Sequence, residues 1–236
     1  MKKVIVHILM ILVPCFSIAL DHNVFNKAYE DAKKFISKKE YQKALKLYLW
    51  IDENANEIDM VYHTVKIPAF SYWGTLASRY PIAMEKFKQV RDGKISQIKL
   101  GHYSWKLFTD IRWINMSLGE SYITAELFEY LDQNNTEAAK LSYDTAEDDL
   151  IRFKRYHLAR KYLGDPLTKL NDSINEHTEL LELDESLRDK LEPLFENNVI
   201  NMVTILDECN ERELAIKVKD RALEIINSKK IKNLLK

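Results

Sequence analysis

Apolar residues recur along residues 25–56 at the spacing of amphipathic helices. A first stripe at i, i+3, i+4 and i+7 predicts one helix, and its members are Phe25, Ala28, Tyr29, Ala32, Phe35 and Ile36. A second stripe follows a polar break, and its members are Tyr41, Ala44, Leu45, Tyr48, Leu49 and Ile51. Because the break spans only Ser37 to Glu40, the two helices are expected to run antiparallel as a helical hairpin. Small residues then face aromatic rings, which allows the helix axes to approach to roughly 8–10 Å.

These residues resemble the tetratricopeptide repeat, a helix–turn–helix unit of about 34 residues. The residues at the repeat's spacings are Ala28, Ala32, Phe35, Ala44, Tyr48 and Ile51. Three features depart from the family: Ala28 stands at its Trp position, Asp31 stands at its Leu position, and no Pro closes the unit near Glu57. The resemblance implies a helical hairpin that stacks on further hairpins.

A second match to the repeat lies near the C-terminus. Its two stripes are Val199, Met202, Val203 and Leu206, and then Leu214, Ala215, Val218, Ala222, Ile225 and Ile226. Ala215 and Ala222 fall at the two small-residue positions of the repeat's second helix. Ordinary helical hairpins, unrelated to the repeat, are the alternative interpretation of both matches.

Proline and glycine divide the middle of the chain into further helices. Pro81 opens a helix that we expect to end at Gly93. Gly119 separates two aromatic helices, and a longer helix is expected from about Thr136 to Leu163. The whole pattern predicts an all-α protein, an α–α superhelix of antiparallel helical hairpins with about nine or ten helices and irregular middle repeats.

Composition supports the helical class. Five Gly and five Pro in 236 residues are few for the turns of a β-sandwich or the phosphate loops of an α/β enzyme. The formal net charge of −1, with 30% charged residues, describes a balanced surface and gives no reason to expect nucleic acid as a partner. We expect residues 20–236 to form a single helical domain.

The N-terminus has the plan of a bacterial signal peptide. Lys2 and Lys3 precede an apolar run from Val4 to Val13, and small residues precede a cleavage position after Ala19. Residues 1–19 are therefore predicted to direct export to the periplasm or the medium, and an uncleaved membrane anchor is the alternative. Cleavage leaves Cys209 as the one cysteine, so no internal disulfide is expected. The apolar stripe around Cys209 predicts a buried thiol.

Catalytic and metal-binding motifs are weak. The histidines never pair at i, i+4, so no metal is expected, and the apolar stripe around His157 predicts a core histidine. Gly119-Glu120-Ser121 resembles the Glu-Ser pair of lytic transglycosylases, in which the Glu acts as general acid on a glycan. The residues after Ser121 lack that family's Gly-rich motif. We therefore expect a non-catalytic protein without cofactors, and a glycan hydrolase using Glu120 or a structural subunit of an envelope assembly are the alternatives.

The resemblance implies that a ligand peptide lies in a groove lined by the first helix of each hairpin. The corresponding positions here are Asn26, Tyr29, Lys33 and Ser37, and Asn197, Ile200, Thr204 and Glu208. The Lys/Asn set by which some relatives bind a C-terminal carboxylate is not reproduced. A cluster of basic residues at 152–161 is interpreted as a salt-bridged surface, with Asp148 pairing with Arg152. The expected partner is a protein or peptide, with no nucleic acid, and with membrane contact only through the signal segment.

Overall fold

The computed structural model describes residues 22–56 and 58–235, and the predicted signal peptide at 1–19 lies outside them. Within this part of the chain there is no strand, and eleven helices have eight or more residues. The α-helices are α1 His22–Ser37, α2 Tyr41–Asn54, α3 Asp59–Val61, α4 Ile67–Ala77, α5 Pro81–Lys99, α6 Trp105–Leu118, α7 Tyr122–Asn134, α8 Thr136–Arg152, α9 Tyr156–Leu163, α10 Pro166–Leu183, α11 Arg188–Glu208, α12 Arg212–Leu223 and α13 Lys229–Lys232. The predicted all-α class of antiparallel helical hairpins is confirmed.

The chain divides into two compact units, with the boundary between Lys66 and Ile67. In the first unit, α1 and α2 pack as the predicted hairpin, and Ala32 and Ala44 are fully buried. The Phe25 ring stacks on Trp50 with 4.9 Å between ring centroids. Small residues and rings therefore share one interface, as the stripes predict. The expectation that residues 20–236 form a single domain stays a prediction.

A buried ion pair closes the first unit. A π-helical turn, Tyr62–Lys66, follows α3 and carries the fully buried side chain of Lys66. Its Nζ lies 3.1 Å from Asp52 Oδ1 and donates a hydrogen bond of 2.6 Å to Asn56 Oδ1. Because an unpaired buried ammonium costs several kcal/mol, these oxygens hold the end of the unit against α2.

The second unit is a stack of four hairpins. The pairs are α4/α5, α6/α7, α8/α9 and α11/α12, and the first helices lie side by side in the order α4, α6, α8 and α11. The second helix of each of the first three hairpins also packs on the first helix of the next hairpin. Gly74 lets α4 approach α6 closely, because a Cβ built there would lie 2.9 Å from the carbonyl oxygen of Ser117.

Every hairpin in the two units has a connection of the same length. Three residues join the helices of each pair, at 38–40, 78–80, 119–121, 153–155 and 209–211. Four of these turns contain a residue with positive φ, namely Lys39, Gly119, Lys154 and Asn210. The amide of the residue after it donates to the carbonyl oxygen five residues earlier, as from Glu40 to Phe35 at 2.9 Å. This hydrogen-bonding pattern ends a helix without leaving its last carbonyl groups unpaired.

An alanine recurs at the same place in four second helices. The fourth residue of α2, α7, α9 and α12 is Ala44, Ala125, Ala159 and Ala215, respectively, and each is at most 1% exposed. A side chain this small allows close contact where the second helix crosses its neighbours. The hairpins therefore share a packing position as well as a turn.

Two predicted helix boundaries are wrong. The helix expected from Thr136 to Leu163 is interrupted, because Lys154 adopts a φ of 59° and starts a turn. The helix expected to end at Gly93 continues to Lys99. Tertiary contacts beyond the glycine explain this continuation: Lys94 pairs with Asp110 at 2.8 Å, and Ile98 is buried in the core.

Helix α10 is an insertion between the last two hairpins. It packs on α11 and α12 through one narrow row of buried residues, Pro166, Leu170, Ile174 and His177. Its C-terminal half has no buried residue after His177, and a short 3₁₀ turn, Glu185–Leu187, leads into α11.

Candidate functional site

The predicted groove positions of the first unit lie along α1. Asn26 and Ser37 are exposed, and the Ser37 hydroxyl donates to the Lys34 carbonyl oxygen at 2.7 Å. Tyr29 is only 9% exposed and belongs to the core of the unit. Lys33 lies over the Tyr29 ring at 4.9 Å from its centroid and forms an ion pair with Glu30 at 2.9 Å. The surface that α1 offers to a ligand is therefore polar.

The predicted positions of the second unit lie along α11. Asn197 and Glu208 are exposed, Thr204 is half-buried, and Ile200 packs against the core. Thr204 and Glu208 come together in the wall of a cavity of about 180 Å³ that Leu234 and Leu235 also line. Asn197 does not line this cavity.

Polar side chains bridge the first helices of the second unit. Arg112 on α6 lies 3.1 Å from Asp148 on α8, and Asn201 on α11 donates to Asp148 at 2.9 Å. Three neighbouring hairpins are thus connected across the surface on which their first helices lie side by side, which we call the first-helix face. Asn201 follows the predicted position Ile200 directly, whereas no pattern in the sequence indicates Arg112.

The buried carboxylate of Asp149 lies next to this bridge. Asp149 is almost fully buried, and Arg112 Nε lies 3.4 Å from its Oδ2. Burial raises the pKa of Asp149, and the nearby Arg112 and Arg152 oppose the rise only in part. Arg152 pairs with Asp149 at 3.7 Å, so the predicted pair between Asp148 and Arg152 is wrong. Asp148 pairs with Arg112 instead.

Ion pairs to other elements neutralise three further basic side chains of the 152–161 cluster, Arg155, Arg160 and Lys161. Arg160 binds both carboxylate oxygens of Glu211 at 2.6 and 3.0 Å. Lys161 pairs with Asp132 at 2.5 Å, and Arg155 pairs with Glu129. These contacts fit the predicted salt-bridged surface.

Glu120, the alternative catalytic residue, lies in an ion-pair cluster. It accepts a hydrogen bond of 2.6 Å from Lys88 and another from Arg91, both on α5. Burial acts to raise the pKa of Glu120, but the two cations outweigh it and the pKa is lowered. A general acid needs the opposite shift, since it must keep its proton near neutral pH.

Two tryptophans and the single described thiol differ in how far they are exposed. Trp73 is fully buried and donates to the Ala83 carbonyl oxygen at 3.2 Å, whereas Trp105 is exposed. The predictions of a buried thiol at Cys209 and of a core histidine at His157 are wrong, because the thiol is half-buried and lies 3.6 Å from Nδ1 of the exposed His157. Burial is the largest influence on the pKa of Cys209 and raises it, which disfavours the nucleophilic thiolate.

Neither a metal centre nor a membrane span is found in the described part of the chain. No three His, Cys, Asp or Glu side chains among residues 22–56 and 58–235 are grouped so that they could hold a metal ion. No described helix combines the length and the hydrophobicity needed to cross a bilayer.

The chain matches no protein family, and no curated protein or solved structure is significantly similar to it.

Proposed function

We propose that this chain is a non-catalytic, peptide-binding scaffold of the tetratricopeptide-repeat type. The observation that carries the proposal is the side-by-side packing of α4, α6, α8 and α11 in the second unit. Stacked hairpins of this kind present an extended surface, which suits a bound peptide or a partner helix.

Two regularities support the relation to the repeat. The first helices of the α6/α7 and α8/α9 hairpins end at Leu118 and Arg152, 34 residues apart, which is about the length of a tetratricopeptide repeat. The recurring buried alanine stands where the repeat prefers a small residue in its second helix. The spacing is longer between α4 and α6, whose last residues are 41 positions apart, and before α11, where α10 is inserted.

Glu120 supports a binding role over the hydrolase alternative. Its carboxylate is held ionised by Lys88 and Arg91, so it lacks the proton that glycan cleavage would need. The first-helix face, by contrast, carries several polar groups that a peptide backbone could contact, among them Asp144 and Asn201.

Export and bacterial origin belong to the same proposal. They rest on the signal-peptide pattern of residues 1–19. The protein would then hold its partner in the periplasm or the medium. A structural subunit of an envelope assembly would share this location, but it would not release its partner on washing.

A peptide-display selection tests the binding role. Random 12-residue peptides are selected on the immobilised, purified chain, and the enriched peptides are then titrated in solution. We expect saturable binding of one peptide per chain. Absence of any enriched peptide, together with glycan cleavage that Glu120→Gln abolishes, would establish the hydrolase instead.

Charge reversal locates the binding surface. Asp144 lies on the exposed side of α8, one turn before Asp148, and its side chain is 90% exposed although its Oδ1 lies 3.3 Å from Nζ of Lys169. Asp144→Arg should weaken binding of the selected peptides about tenfold through altered charge complementarity. The control is Glu126→Arg at an exposed position of the second helix α7, which should leave the affinity within about twofold. Equal losses in both variants would place the peptide elsewhere.

A further inference from the structure

A cavity of about 230 Å³ opens between α10 and α11. Its apolar wall consists of Leu180, Leu191, Leu194 and Phe195, and Leu194 is 61% exposed. For comparison, a cavity of about 150 Å³ is enough to hold a benzene molecule. The opening therefore has room for at least one apolar side chain of a partner.

Polar side chains line the cavity beside the leucines. They are Ser173 and Glu176 on α10 and Asn198 on α11. Beyond His177, α10 has no buried residue, and Leu183 near its end is 82% exposed. We call this region, residues 173–198, the leucine tip. Exposed apolar clusters of this kind commonly mark interaction sites.

The leucine tip is strongly acidic. Eight Asp and Glu residues but only two Lys and Arg residues fall within residues 173–198. The guanidinium of Arg188 is already bound by Glu185 at 2.7 Å and by Glu192 at 3.0 Å. Within the described residues, Glu176 and Glu179 have no cation partner, so the cavity lies in a negative field.

This charge selects the kind of occupant. A second copy of the chain would bring the same acidic surface and would be repelled, and so would an anionic lipid surface. A helix with leucines on one side and lysines or arginines on the other complements both the apolar wall and the carboxylates.

We propose that the leucine tip binds a basic, amphipathic helical segment of another protein. One apolar side chain of that segment enters the cavity between Leu180 and Leu194, and its cations lie against Glu176 and Glu179. The site lies between the inserted helix α10 and the N-terminal half of α11, around Leu194 rather than around Asn201 of the first-helix face, so it adds a second binding surface to the one proposed above.

Fluorescence anisotropy on the purified chain tests this site. The probe is a labelled 18-residue peptide of lysine and leucine whose leucines recur at i, i+3, i+4 and i+7. A second probe has the same composition in scrambled order, so that its leucines do not share one side of a helix. We expect the patterned peptide to bind at least tenfold more tightly than the scrambled one, and raised salt to weaken it.

A matched pair of variants separates the cavity from general charge attraction. Leu194→Ser should weaken the patterned peptide about tenfold, because the apolar contact is lost. Leu100→Ser, at a position after α5 that is 76% exposed, should stay within about twofold of the native chain. Both leucines are exposed, so neither change removes core packing, and circular dichroism checks that both variants stay folded.

Two outcomes would overturn the proposal. One is equal binding of the patterned and scrambled peptides, which would indicate charge attraction alone. The other is unchanged affinity in Leu194→Ser, which would place the peptide away from the cavity. Neither outcome bears on the first-helix face, whose selected peptides are expected to bind Leu194→Ser as they bind the native chain.

Discussion

The close contact between α4 and α6 can be tested by giving two glycines the same new side chain. Gly74 and Gly93 both lie inside helices of the second unit, so Ala for Gly should stabilise either helix by about 0.5–1 kcal/mol. The two positions differ in their surroundings. A Cβ at Gly93 would meet nothing within 4 Å, whereas a Cβ at Gly74 would lie 2.9 Å from the Ser117 oxygen and 3.0 Å from the Ser117 Cβ.

The magnitudes follow from these contacts. Gly93→Ala should keep the whole gain in helix propensity and stabilise the protein by up to about 1 kcal/mol. At Gly74 the nearest atom belongs to the backbone of α6, which cannot turn away as a flexible side chain could. Separating the helices is expected to cost about 1–3 kcal/mol, so Gly74→Ala should be destabilising despite the better helix former.

Urea unfolding followed by circular dichroism measures both variants against the native chain. The midpoint should rise for Gly93→Ala and fall for Gly74→Ala, with unchanged slopes. The expected difference between the two variants is about 1–3 kcal/mol, or roughly 2–12 °C in melting temperature for a chain of this size. A midpoint for Gly74→Ala that rises as much as that of Gly93→Ala would refute the close packing of the first helices.

Three further changes test other parts of the fold. Ala44→Leu should overpack the first hairpin and destabilise it by about 1–3 kcal/mol, which hydrogen exchange of α1 and α2 measures. The control, Lys46→Leu at an exposed position, should change the exchange little. Equal protection in the two variants would mean that Ala44 is not at the interface. His177→Phe should raise the free energy of unfolding by about 1 kcal/mol, because the buried Nε2 of His177 has no hydrogen-bond partner among the described residues. A free energy of unfolding below that of the native chain would indicate that Nε2 does have a hydrogen-bond partner. The lowered pKa of Glu120 means that its ion pairs stabilise the fold above the ordinary value of 4.5, and that this contribution is lost as pH falls. Glu120→Gln should therefore be less stable than the native chain near neutral pH and should lose less stability on acidification. The free energy of unfolding of both chains is measured by urea unfolding at several pH values. The same pH dependence in both chains would contradict this reasoning.

The hairpins could be predicted because their signals are local. The stripes around Ala32 and Ala44 predict the α1/α2 interface, and Gly119 ends α6 with a φ of 71° as its glycine suggests. The recurring alanine could have been found as well, since Ala44, Ala125 and Ala159 each stand three residues after a tyrosine.

Other features depend on contacts between distant residues. Helix α5 continues through Gly93 because Lys94 and Ile98 gain partners on other elements, which outweighs the poor helix propensity of one glycine. The turn at Lys154 forms without a glycine, since the hairpin contact compensates for an unfavourable φ. Neither effect is visible in a window of neighbouring residues.

The sequence by itself determined the helical class, the paired stripes and most helix ends, because periodicity, proline and glycine act within a few residues. Only the tertiary structure decided that Arg112, Asp148 and Asn201 meet across three helices, and that α10 leaves an open, acidic cavity against α11. The physical reason is that a binding surface is made by residues far apart in the chain. Their proximity depends on how the hairpins stack, and no local pattern records it.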